Sequence, residues 1–111
     1  MTLFRYVLIA MTILILVFTA TAIAEGGIDL ITPFLAPILA LNWQGQFNID
    51  FACYLALSGI WLAWRGGFSI GSIALGVLAP SLGTIFLAPY LLYLIGKTGG
   101  DPRRILLGVH A

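Results

Sequence analysis

Charge is what this 111-residue chain has least of: only 8% of its residues are Asp, Glu, Lys or Arg, against about a quarter in ordinary soluble domains. With 61% apolar residues, a soluble fold of this size has nowhere to hide its hydrophobic surface, so hydrocarbon is the expected solvent. Five basic against four acidic side chains leave a formal charge of +1, which supplies none of the clustered basic surface a nucleic acid requires. Cys53 is the single cysteine, which excludes an internal disulfide and any thiol cluster for zinc or iron. His110 is the single histidine and has no second imidazole with which to ligate a metal. No nucleophile is paired with a base and no phosphate loop is present, so the chain is expected to be no enzyme and to carry no cofactor or metal.

What is present is length without charge. Gly66 to Gly96 runs thirty-one residues without Asp, Glu, Lys, Arg or His, and Tyr6 to Ala24 runs nineteen. Roughly twenty apolar residues cross the hydrocarbon layer as a helix. The first run, ending in Ala22-Ile23-Ala24 before Glu25, has the look of a secretory signal. It exceeds the usual apolar core of such signals and has one basic residue before it, so we read it as a retained span.

Phe51 to Trp64 is a shorter apolar run, but Asn48 to Asp50 and Arg65 extend it into both interfaces. Trp43 and Phe47 at one end and Trp61 and Trp64 at the other are the aromatic residues expected at headgroup depth. Leu30 to Leu41 would reach only about 18 Å as a helix and contains Pro33 and Pro37, each without a donor N–H. The expected fold is therefore an all-α integral membrane protein forming one transmembrane domain over 1–111. It has three transmembrane helices (about 4–24, 49–65 and 68–96), a short Pro-containing interfacial or re-entrant helix (about 29–41) and a short basic surface tail at 97–111. The residues between, 42–48, read as an interfacial connection. Four spans, with 28–42 crossing, is the alternative.

Folding the last span back about Gly66-Gly67 sets Asp50 level with Gly83 or Thr84 and leaves the apolar stretch beyond Ala88 in surplus. In a three-span chain segment 30–41 emerges on the same side, so the two leftover pieces are expected to cover each other as a cap over one membrane face. Charge counting conflicts with this arrangement. Three spans divide the basic residues, Arg5 and Arg65 on one side and Lys97, Arg103 and Arg104 on the other, whereas basic residues ordinarily gather on the cytoplasmic side. A spanning 28–42 would collect four of the five together, so orientation stays open.

Ser72, Gly76, Pro80 and Thr84 recur every fourth residue, with Ala79 and Gly83 widening the strip. Ala52, Ala56, Gly59 and Ala63 offer a counterpart on the middle span. Small residues let helix backbones approach closely in lipid, so these two faces are expected to pack together. Roughly opposite them, Phe51, Tyr54, Trp61 and Arg65 follow at steps of three, seven and four. With Asp50 at their head they form either a lipid-contacting stripe or a face for a partner or flat ligand.

Ionisable residues at mid-bilayer mark function by default, and here that depth is empty. Asp50 is left as a candidate proton or cation ligand, and Glu25 and Asp29 as a turn. Asp101 followed by Pro102 reads as a helix start, with Arg103 and Arg104 placed to contact lipid phosphates.

A first span, a short proline-bearing segment, Asp50 opening an aromatic middle span that closes in Trp61-Leu62-Ala63-Trp64-Arg65, and a last span: in this layout the chain loosely resembles small bacterial multi-span inner-membrane proteins of unknown function. Small multidrug transporters fit less well, because the first span here offers only threonines where they carry a glutamate. The resemblance implies a multi-pass protein of the cell membrane. The expected role is a non-enzymatic accessory or assembly subunit, packing as a homo-oligomer or in a larger membrane complex, with lipid and protein rather than nucleic acid as partners. The alternative is a homo-oligomeric transporter or channel for ions or small solutes.

Overall fold

The computed structural model describes residues 2–27 and 29–111, and among them it is all-helical. Six helices follow in order: α1 (Thr2–Gly26), α2 (Ile31–Leu39), α3 (Trp43–Arg65), α4 (Ile70–Leu82), α5 (Thr84–Thr98) and α6 (Pro102–Leu107), then a 3-10 turn at Gly108–His110. Two of them, α1 with 25 residues and α3 with 23, are long and apolar enough to cross a membrane. α4 and α5, with 13 and 15 residues, reach about 20 and 22 Å at 1.5 Å per residue.

α3 begins earlier than position 49, because Asn42 caps it: its side-chain oxygen accepts from the Gly45 N–H at 2.9 Å, satisfying one of the free donors of the first turn. The connection expected at 42–48 is thus mostly the first two turns of α3. The turn to α4 uses left-handed backbone at Gly67 and Phe68, with φ of 70° and 56°. Ser69 then caps α4 through the Ser72 N–H.

The largest departure from expectation is the last span. Residues 68–96 do not form one helix; the chain breaks at Gly83, whose φ of 67° with ψ of −140° is disfavoured for any side-chain-bearing residue. α4 runs from Ser72, beside Gly66, to Gly83, beside Phe51 and Leu55. α5 then returns, for Lys97 and Thr98 border the same cavity as Arg65 and Gly66. The return packs α5 along α1: Thr84 faces Met11 to Phe18, and Leu91 lies near Phe4. Leu8, Ala88, Leu94, Ile95 and Ile105 form the buried core of that contact.

The reversal also removes the expected cap. Residues 89–96 pack with α1 and α6, whereas α2 lies against α3. Gly45 makes the α2 contact possible, since a Cβ there would collide with the Pro37 backbone carbonyl. The Asn48 amide donates to the Phe34 carbonyl at 2.9 Å.

Candidate functional site

Because α5 doubles back, the two ends of the molecule carry opposite charge. Phe4, Trp61, Pro102 and Leu106 line one apolar groove, so the start of α1 lies beside the end of α3 and beside α6. Arg5, Arg65, Lys97, Arg103 and Arg104 therefore share one end. Asp101 is there too, giving five positive charges against one negative, a net +4. Glu25, Asp29 and Asp50 lie toward the other end, a net −3; together the two ends make the chain's +1.

The basic end is held by side chains of α3. α6 has six residues, too few to be stable alone, and the last carbonyls of any helix lack intrahelical donors. Arg65 supplies them: its Nε donates to the Ile105 carbonyl and an Nη donates to that of Arg104 at 3.2 Å. The Trp61 indole N–H donates to the Leu106 carbonyl at 3.0 Å. His110 stacks on Trp64 with ring centroids 4.1 Å apart, and its Nε2 lies 2.9 Å from the Trp64 carbonyl. A carbonyl only accepts, so Nε2 carries the hydrogen. At the start of α6, the Asp101 side chain accepts from the Arg103 N–H at 3.1 Å, and Pro102 occupies the first turn, where its missing N–H costs nothing.

Trp61 and Arg65, grouped by sequence with a partner-facing stripe, are thus half-buried against their own chain. Asp50, Phe51 and Tyr54 remain exposed. Of the two arginines expected at lipid phosphates, both are exposed, but only Arg104 borders the cavity of about 280 Å³ shared with Arg65, Gly66, Lys97, Thr98, Gly108 and Val109. This cavity joins residues from three helices and was invisible in sequence. Its one signal was the failure of a three-span chain to collect its basic residues on one side.

The small-residue strips meet at a narrow place. Cβ atoms added at Gly59 or Gly76 would each strike the other's carbonyl, and Gly59 also faces the Pro80 ring. Pro80 has no N–H to offer the Gly76 carbonyl four residues earlier, and that freed carbonyl is the one lying against Gly59. Ala79, Gly83 and Ser72 are buried, Ala52, Ala63 and Pro80 half-buried, whereas Ala56 and Thr84 are exposed.

At the acidic end, Asp29 accepts from the backbone N–H groups of Ile31 and Thr32 at 3.2 and 3.3 Å. Hydrogen bonding by the Thr32 side chain and these N–H groups holds its carboxyl below the ordinary value. Cys53 is free and exposed on α3. Among the described residues no three His, Cys, Asp or Glu side chains gather as metal ligands.

No protein family, curated protein or solved structure matches this chain. Its chemistry must be read from its own geometry. That geometry offers cations at one end, carboxylates at the other and apolar helix walls between.

Proposed function

We propose that the chain is a multi-pass cell-membrane protein whose basic end faces the cytoplasm. In this reading α1 and α3 cross the bilayer. The α4–α5 hairpin enters from the basic side, reaches the depth of Asp50 at Gly83 and returns, while α2 lies at the opposite face. Both ends of the chain then sit on the cytoplasmic side. Five basic residues on one face, each favoured by about 1 kcal/mol near an anionic surface, carry the orientation. The division of charge that counted against a three-span chain disappears.

The role we propose is that of a non-enzymatic accessory or assembly subunit, packing against itself or a larger membrane complex. The observation that carries it is the separation of polar groups from the helix walls. The three apolar grooves lie on Phe18, Ile23 and Leu30, on Met11, Leu14 and Phe18, and on Phe4, Trp61 and Leu91, and no charged side chain enters any of them. A transport path needs polar or ionisable groups at membrane depth, whereas a surface for another helix needs apolar shape. Asp50 is the residue on which the transporter alternative rests.

Purification in mild detergent tests the assembly reading. A stoichiometric protein partner, or a defined oligomer of this chain, is the expected result, unchanged by Asp50→Asn. Ion or solute flux in proteoliposomes that Asp50→Asn abolishes while the oligomer persists would overturn it in favour of transport.

A further inference from the structure

We propose that the cavity between α3, α5 and α6 binds the phosphate of an anionic lipid headgroup, with Lys97, Arg104 and the free edge of Arg65 as its cationic ligands. The proposal rests on the membrane reading above and assigns a ligand class to its basic face.

Three cations line one cavity of about 280 Å³. Like charges that share a concave, partly desolvated space raise one another's energy, and an anion placed among them relieves it. The chain provides little relief of its own. Asp101 is the one acidic side chain at this end, and its carboxylate is engaged in capping α6 through the Arg103 N–H. Lys97 lies over the Tyr93 ring, 5.8 Å from its centroid, which places the ammonium beside an aromatic face and not beside a carboxylate. Arg65 has five N–H donors; its bonds to the Ile105 and Arg104 carbonyls hold the guanidinium in place and leave other donors for an oxyanion. Thr98 completes the polar lining, and Gly66 and Gly108 keep the floor open.

Depth selects the lipid phosphate. The cavity lies at the end of α3, where Trp61 and Trp64 precede Arg65 as interfacial residues do. This is the level of phosphate groups when α3 spans the membrane. Basic pockets between helices on the cytoplasmic side are physically suited to such headgroups.

The test uses the full chain in detergent, with bound lipid read by native mass spectrometry after titration with phosphatidylglycerol or phosphatidylcholine. Lys97→Gln and Arg104→Gln border the cavity; Arg103→Gln removes the same charge outside it. The expected result is retention of phosphatidylglycerol over phosphatidylcholine, weakened about tenfold or more by either cavity variant and less than twofold by Arg103→Gln. Equal loss in all three variants would overturn the site as mere surface charge, as would equal retention of the two lipids. Displacement of the lipid by millimolar inorganic phosphate or glycerol phosphate would overturn the lipid as ligand and assign the cavity to a soluble phosphate. Failure of the membrane reading looks different: the protein would then be found in the aqueous fraction of lysed cells, before any lipid is added.

Discussion

The basic and acidic ends of this molecule are closed by different means. At the basic end, long side chains reach outward from α3: Arg65 and Trp61 hold the last carbonyls of α6, and Trp64 receives the His110 ring. At the acidic end the backbones themselves come together, with Gly45 of α3 set against the Pro37 carbonyl of α2. Short amides finish that contact through Asn42 and Asn48. Side-chain reach leaves space between elements, and at the basic end that space is the cation-lined cavity. Backbone approach leaves none. Of the two ends, the basic one therefore has room for a ligand, while the acidic one joins two helices.

Both ends depend on the α3–α4 seam between them, and breaking it has the largest expected effect. Gly59→Leu drives a side chain into the Gly76 carbonyl and the Pro80 ring. Overpacking against backbone costs about 3 kcal/mol or more, and the hairpin should separate. The measurement is thermal stability in detergent together with protease sensitivity at Gly66 to Ser69, both of which should worsen. Arg65→Ala comes next. Losing charge-assisted bonds to two carbonyls should cost about 1–3 kcal/mol, and amide exchange should quicken in α6 while α2 is unaffected. Asn48→Ala is the converse, expected to cost about 1 kcal/mol and to loosen α2 alone. If either variant loosens both ends equally, the ends are not independent.

The smallest effect is one of pH. Asp29 is held below its ordinary value by its bonds to Thr32 and Ile31. A carboxyl lowered in the folded state adds stability above its unfolded value, and that stability is lost as pH falls through the folded one. Exchange of the Ile31 and Thr32 amides should therefore quicken on acidification below the ordinary carboxylate range, and only slightly, because the group is fully exposed.

Much of this was legible in the residues. Apolar run length gave α1, and the span from Asp50 to Arg65 fell inside α3. The short hairpin at Gly66-Gly67 set Gly83 near Phe51, since both lie a similar distance from the turn. The true start of α3 was obscured because Gln44, Gln46 and Asn48 look like loop residues until Asn42 is seen to cap them. The reversal at Gly83 was hidden for a different reason. A single glycine in an uncharged run is common within membrane helices, and only its left-handed φ distinguishes a break from a smooth passage. Pro80 and Pro89 on either side were the local hints, and the scattered basic residues were the global one. Missing the reversal displaced everything after it, including the assignment of 89–96 to a cap and of Trp61 and Arg65 to an outward face. The cavity followed from the same turn, because no spacing in the sequence joins Arg65 to Lys97 or Arg104.

The central claim is that the chain reverses at Gly83 and collects its basic residues on one side. Single cysteines at Thr2, Gly27 and Thr98, in a Cys53→Ser background, report it directly through labelling of intact cells by a membrane-impermeant maleimide. The account predicts that Gly27→Cys reacts from outside, while Thr2→Cys and Thr98→Cys react only after the membrane is opened. Labelling that places positions 2 and 98 on opposite sides would contradict it and restore a last helix that runs straight through.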